Sequence, residues 1–148
     1  MEGYPDGTFG PNREITRAEI MKIILESSVD DIGLGKNCFP DVRTEWFAKY
    51  ACYAVDHGIV KGYTDGMFRP SQNVSFAEAL KMALGSFDKN VGQANGNDAW
   101  YQPYFDFVHN NNIFSKYGLL PNKNITRGEM AYLVHQLMLE KAGSIQFD

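Results

Sequence analysis

The feature that most constrains the fold is a helix-opening phrase that occurs three times along the chain. It reads Ile-Thr-Arg-Ala-Glu at 15–19, Val-Ser-Phe-Ala-Glu at 74–78 and Ile-Thr-Arg-Gly-Glu at 125–129. The first two copies also share a Gly-Tyr-x-Asp-Gly-x-Phe turn, and the interval from Gly3 to Gly62 equals the interval from Thr16 to Ser75. Repeats in a common register indicate one pseudo-symmetric architecture built from equivalent units.

A second repeated phrase is aromatic and apolar, and it begins at Trp46 and again at Trp100. The interval from Trp46 to Gly62 equals the interval from Trp100 to Lys116. The third copy then lacks three residues of its loop, since Thr126 follows Lys116 more closely than Ser75 follows Gly62. The first copy has no Trp phrase because the chain opens at its loop, so we expect a piece of a longer protein.

The three opening phrases predict three equivalent helices. Thr16, Ser75 and Thr126 can each cap a helix, and the Glu three residues later can close a capping box. Apolar residues recur at helical spacing after each phrase, which predicts a central three-helix bundle. The two Trp phrases predict two short outer helices, the first ended by Gly58 and the second with Pro103 in its first turn.

We therefore predict a single all-α domain with pseudo-threefold symmetry, peripheral short helices and loops, spanning residues 1–148. Its units are a truncated first one, a complete second one and a degenerate third one, at 1–28, 38–87 and 98–142. Segments 28–37 and 88–98 read as linkers and 143–148 as a tail. A unit of about 50 residues could hardly bury its apolar faces alone, so the three should fold together.

Composition excludes several function classes. The net charge is −4 without a basic run, which disfavours nucleic-acid binding. No apolar stretch approaches the roughly 20 residues that span a bilayer, and no signal peptide is visible. Catalysis is not expected, because no Gly-x-Ser-x-Gly elbow occurs and the glutamates serve caps. No cofactor or metal is expected either: Asp6 and Asp65 suit tight turns, and no full calcium-loop series follows them.

Cys38 and Cys52 are close in sequence and allow two interpretations. They are either two buried thiols or a local disulfide that clamps the entry loop to the following helix. A loop of that size would stabilise the fold by roughly 3 kcal/mol if unstrained. It would also indicate a location outside the reducing cytosol.

Together these motifs resemble the S-layer homology module. The second copy carries the pattern in full, as Phe-Pro-Asp-Val at 39–42, Trp46, Gly-Ile-Val-Lys-Gly-Tyr-Thr-Asp-Gly-Met-Phe-Arg-Pro at 58–70 and then the capping phrase. The third copy keeps Trp100, Pro121-Asn122 and the Thr-Arg-Gly-Glu phrase. The resemblance implies a non-catalytic anchor of an exported protein on the bacterial cell surface or wall.

The resemblance also implies a partner: a secondary cell-wall polysaccharide or peptidoglycan-linked glycan, often pyruvylated, held in grooves between modules. The predicted glycan-binding residues are Arg17, Arg127, Trp46, Trp100, Asp41, Thr16, Thr126 and Gly62. An Arg directly after a helix cap can point outward beside free backbone N–H groups, which suits a carboxylate. Because Phe76 replaces this Arg in the second phrase, we expect at most two competent sites.

Structural interpretations of the same residues stay open. The arginines can be solvated helix residues, the tryptophans can anchor the core, and Asp41 can bond within its own turn or to a neighbouring helix. The competing function is a protein–protein assembly module that joins surface-layer subunits through the same grooves. A third alternative is a stable piece that binds nothing because its first Trp helix is absent.

Overall fold

A computed structural model of the chain describes residues 10–89, 91–114 and 120–146, with the side chains of the last helix described to Glu140. This part contains five α-helices and no β-strand: α1 (Arg17–Ser28), α2 (Ala48–Asp56), α3 (Phe76–Ser86), α4 (Gln102–Asn110) and α5 (Arg127–Gln146). The predicted all-α class is confirmed. Within the same residues, no helix is both long and apolar enough to cross a membrane.

The predicted caps begin three helices, α1, α3 and α5, which are called the inner helices here. Thr16 Oγ1 accepts the Glu19 N–H at 3.2 Å, and Glu19 Oε1 accepts the Thr16 N–H at 3.0 Å. The same reciprocal pair of bonds, at the same two distances, links Thr126 and Glu129. Ser75 Oγ accepts the Glu78 N–H at 3.2 Å. Each pair satisfies donors that the first turn of a helix would otherwise leave unmade.

A closed ring of backbone hydrogen bonds joins the starts of these helices. The Ile15 N–H donates to Ile125 O at 3.2 Å, Ile125 N–H to Val74 O at 2.8 Å, and Val74 N–H to Ile15 O at 3.2 Å. These three residues are fully buried and occupy the same position in each phrase. The ring is therefore a pseudo-threefold centre made from three segments far apart in sequence.

Around the ring, each inner helix starts against the loop of another unit. The α1 start donates backbone N–H groups to carbonyls at 70 and 72, the α3 start to carbonyls at 121 and 123, and the α5 start to carbonyls at 11 and 13. The inner helix of the first unit therefore contacts the loop of the second unit, that of the second contacts the third, and that of the third contacts the first. This interlocking explains why one unit alone would lack a core.

The outer helices cover two of the three inner ones: α2 packs on α1, and α4 packs on α3. The Tyr50 hydroxyl of α2 donates to Glu26 Oε1 of α1 at 2.7 Å. Gly58, at φ 71°, ends α2 as predicted, and Pro103 lies in the first turn of α4. Cys38 and Cys52 form a disulfide, so the alternative of two free thiols is wrong.

Candidate functional site

Arg17 lies inside the protein. Its side chain is 3% exposed, Nε donates to Phe68 O at 2.8 Å, and Nη2 donates to Lys61 O at 3.2 Å. Nη1 lies 3.6 Å from Glu78 Oε2, and the guanidinium carbon is 4.8 Å from the ring centres of both Tyr63 and Phe68. Burial lowers the pKa of Arg17, and the charges of Tyr63 and Glu78 oppose that shift. Arg17 therefore clamps the loop of the second unit onto α1.

The expectation of an outward guanidinium beside free backbone N–H groups is wrong for this helix start. The Arg17 N–H donates to Gln72 O and the Ala18 N–H to Pro70 O, both at 2.9 Å. These donors complete the contact between units, so they are not offered to a ligand. A ligand could reach Arg17 only through the part of its side chain that lines a neighbouring cleft.

That cleft, called cleft A here, lies between α1, α3, the 58–63 loop and Trp100, which precedes α4, and has a volume of about 250 Å³. Its lining residues are Arg17, Gly58, Ile59, Val60, Lys61, Tyr63, Glu78, Lys81, Met82 and Trp100. Lys81 Nζ lies 5.6 Å from the centre of the Trp100 ring. Counting side-chain charges, Arg17, Lys61 and Lys81 outnumber the one carboxylate, Glu78. Cleft A is therefore locally cationic in an acidic protein.

The helical side of this arrangement recurs around Arg127, and its four residues (Arg127, Glu19, Lys22 and Trp46) are together called cleft B here. Arg127 is 5% exposed, and its Nη1 donates to Glu19 Oε2 at 3.1 Å, as Arg17 faces Glu78. Lys22 Nζ lies 5.8 Å from the Trp46 ring centre, as Lys81 faces Trp100. The Arg, Glu, Lys and Trp thus recur in one spatial pattern. The first loop, residues 1–9, falls outside the described residues, so this cleft is defined by its helical side alone.

The third equivalent position is aromatic. Phe76 stands where the other phrases have Arg, and its ring packs edge-on against Phe114 at 5.5 Å between centres. Tyr132 stands where the others have Lys, three residues after the opening Glu, and its ring lies 4.9 Å from that of Phe114. Aromatic rings therefore occupy the two positions at which the other units have an arginine and a lysine.

Four other predicted residues have structural roles. Thr16 and Thr126 are engaged in their capping boxes. Asp41 accepts the N–H of Phe68 at 2.9 Å and of Arg69 at 2.8 Å, so it holds the loop of its own unit, in neither of the arrangements first considered. Gly62 is required by close packing, because a Cβ there would lie 2.5 Å from Phe39 Cε1.

The two tryptophans are exposed surface residues. Trp46 is 56% exposed and Trp100 is 51% exposed, each beside an outer helix and edge-on to the next aromatic residue. Their interpretation as core anchors is therefore wrong. Each instead presents an indole face beside a lysine at a cleft.

Lys22 and Lys81 are not among the residues predicted from the sequence to form the site. Both stand three residues after the Glu of a capping phrase, and the third phrase has Tyr at that position. Comparison of the repeats beyond the five-residue phrase would have found them.

Known proteins support the family assignment. The chain matches the S-layer homology domain at residues 1–21, 39–80 and 94–131. It is 30% identical to the Middle cell wall protein of Brevibacillus brevis over 88% of the chain and 12% of that protein. It is 31% identical to S-layer protein EA1 of Bacillus anthracis over 90% of the chain and 17% of that protein.

A third relative is the Cellulosome-anchoring protein of Acetivibrio thermocellus, 35% identical over 64% of the chain and 22% of that protein. The chain spans less than a quarter of the length of the relatives named here. It belongs to the S-layer homology domain family, and it is a domain of the cell surface.

Proposed function

We propose that the chain holds its parent protein at the cell surface by binding an acidic secondary cell-wall polysaccharide, one that carries pyruvate ketals, in clefts A and B. The observation that carries the proposal is the repeated pairing of an exposed indole with a lysine beside a buried arginine. An indole face suits the apolar face of a sugar, and the cations suit a ketal carboxylate. No catalytic role is proposed for any residue of this domain.

The charge balance at cleft A supports an anionic ligand despite the net charge of −4. Three cations face one carboxylate there, and Glu78 is already paired with Arg17. A ligand carboxylate would meet Lys81 at the cleft mouth, and the Arg17 edge would lie deeper. The charges that line the cleft attract or repel a ligand more strongly than the net charge of the chain does, because charges beyond about 8 Å are screened at physiological ionic strength.

Arg17 is a poor choice for testing this proposal, since its removal would also disturb the fold. Lys81 and Trp100 are exposed and can be changed without opening the core. In a chain whose cleft B is disabled by Lys22→Ala and Trp46→Ala, we expect Lys81→Ala and Trp100→Ala each to weaken binding to purified pyruvylated wall polysaccharide about tenfold, equivalent to about 1.4 kcal/mol. The matched controls are Lys36→Ala and Leu34→Ala, which change exposed residues of the linker.

The same pair in cleft B, Lys22 and Trp46, tests the equivalence of the two clefts. The double variants Lys81→Ala/Trp100→Ala and Lys22→Ala/Trp46→Ala should each retain binding through the cleft that is left intact. The chain that carries all four substitutions should not bind. Unchanged affinity in all of these variants, with the fold intact by circular dichroism, would refute the proposal. Loss of binding in the linker controls as well would show that the assay does not report on the clefts.

The second candidate function is protein–protein assembly, and the aromatic third position favours it. The partly exposed Tyr132, which packs on the buried Phe114, offers an aromatic ring where the other two positions offer a lysine. Sedimentation velocity over a hundredfold range of concentration would distinguish the two functions. Self-association that Tyr132→Lys abolishes, without any glycan binding, would favour assembly.

A further inference from the structure

A second cavity, called the α4 pocket here, lies between α4 and the segment at 91–98, and it has a volume of about 350 Å³. Within the described part of the chain, its lining shares no residue with cleft A or cleft B. Sites for small ligands commonly have volumes of roughly 300–1,000 Å³, so the α4 pocket has room for one small molecule.

The lining of the α4 pocket combines three kinds of chemical group. Side-chain amides line it at four positions, Gln93, Asn95, Gln102 and Asn110. Carboxylates line it at Asp98 and Asp106, and the apolar surface comes from Val91, Ala94, Pro103 and Phe107. These lining residues, all of them within the described ranges, carry two acidic groups and no basic one. The pocket is therefore negative where cleft A is positive.

The two outer helices, α2 and α4, can be compared position by position. Trp100 follows Trp46 by 54 residues (100 − 46), and Asn112 follows Gly58 by the same interval (112 − 58). Gly58 and Asn112 both have positive φ, at 71° and 59°, just after the end of their helices. A single offset therefore relates the two helices from before the first turn to after the last.

In the second unit, the segment that precedes the outer helix packs directly on it. The offset pairs Gln102 with Ala48 and Asp106 with Cys52, and these two residues of α2 are buried. Cys52 belongs to the disulfide, and a Cβ on Gly35 would lie 2.7 Å from Cys52 Cβ. In the third unit an amide and a carboxylate take these positions and line a cavity. Since the fold accepts Ala and Cys there, it does not require the polar pair, which is available to a ligand.

We propose that the α4 pocket binds a hydroxylated organic cation, such as an amino sugar whose amino group is not acetylated. The carboxylates of Asp98 and Asp106 accept hydrogen bonds from the ammonium group. Gln102 Nε2 donates to Asp106 Oδ1 at 2.8 Å, which orients that carboxylate, and a carboxylate can accept several hydrogen bonds at once.

The rest of the lining suits the rest of such a ligand. The side-chain amides both donate to and accept from hydroxyl groups, and Pro103 and Phe107 offer apolar surface to a sugar ring. A metal ion is not favoured, because within the described ranges no three or more His, Cys, Asp or Glu side chains come together to hold one. An acidic sugar is disfavoured by the two carboxylates. This inference does not depend on the glycan proposal, since clefts A and B select the opposite charge.

The test compares three sugars that share one ring. Glucosamine carries an ammonium group where N-acetylglucosamine carries a neutral acetamide and glucose a hydroxyl. Each is titrated into the intact chain at millimolar concentrations, and the side-chain amide signals of Gln102 and Asn110 are followed by NMR. We expect saturable shifts with glucosamine and an affinity about tenfold lower for the two neutral sugars, because hydrogen bonds to a charged group are the stronger ones.

Asp106→Asn then removes the charge and keeps the shape of the side chain, including an oxygen that can accept from Gln102. We expect this variant to bind glucosamine about tenfold more weakly. The matched control is Asp56→Asn, because Asp56 is an exposed carboxylate at the end of α2 and corresponds to Asn110 on α4. Its affinity for glucosamine should equal that of the original chain.

Three results would overturn the proposal. The first is equal affinity for the three sugars, or no saturable shift with any of them. The second is undiminished glucosamine binding by Asp106→Asn and by Asp98→Asn, with both variants folded by circular dichroism, or an equal loss in the Asp56→Asn control. The third is binding of Nα-acetyllysine amide, an ammonium compound without hydroxyl groups, as tightly as glucosamine.

Discussion

Replacing Arg17 with Ala should destabilise the domain more than any ordinary surface change. The substitution leaves the buried Phe68 carbonyl without the Nε donor that now lies 2.8 Å away, at a cost of about 1–3 kcal/mol. It also removes the cation that lies 4.8 Å from the Tyr63 and Phe68 rings, a contribution of about 1–2 kcal/mol. The pair with Glu78 adds less than about 1 kcal/mol, because Glu78 is partly exposed.

The expected total loss is about 3–4 kcal/mol, a large part of the stability of a domain this size. With a urea m-value of about 1.5 kcal/mol/M, the unfolding midpoint should fall by about 2 M. The matched control is Arg69→Ala, since Arg69 forms an exposed ion pair with Asp65 at 3.2 Å. That change should cost under about 1 kcal/mol. A loss at Arg17 no greater than that at Arg69 would refute the reasoning that the buried arginine clamps two units together.

Three further perturbations test other contacts. Asp41→Ala removes two charge-assisted bonds to backbone N–H groups at 2.8 and 2.9 Å, and should lower stability by about 2–3 kcal/mol in urea titration; a loss below about 0.5 kcal/mol, the scale of an inert surface change, would contradict the role given to Asp41. Reduction of the Cys38–Cys52 disulfide should cost about 3 kcal/mol, visible as a lower melting temperature with reductant; an unchanged melting temperature with thiols verified as free would contradict it. The Met67 N–H and then Arg69 lower the pKa of Asp65, so its contribution is present at neutral pH and lost as acid protonates it; an NMR titration midpoint at or above about 3.9, the ordinary value for aspartate, would be inconsistent with this contact.

The local structure was predictable because it depends on neighbours in sequence. The capping phrases predicted the starts of α1, α3 and α5, because a cap and its Glu are only three residues apart in sequence. Gly58 predicted the end of α2, because the residue after a helix often adopts the positive φ that glycine allows. Asp65 predicted the turn that it forms. The number of units and the all-α class followed from the repeats.

The site could be predicted only in part because its partners come from different units. Arg17 is buried by carbonyls 44 and 51 residues further along the chain, and no pattern near residue 17 reveals them. The same is true of Trp100, which belongs to the third unit but lies beside Lys81 of the second. The sequence suggested an outward guanidinium and left open whether the indoles were buried, whereas the structure buries Arg17 and exposes both tryptophans.

The central claim is that clefts A and B take an acidic sugar and that the aromatic third position does not. Isothermal titration of the chain with a short pyruvylated fragment of wall polysaccharide tests it most directly. We expect two fragments bound per chain, and loss of the heat of binding when the ketal is removed. A stoichiometry of none or three, or equal binding after ketal removal, would contradict it.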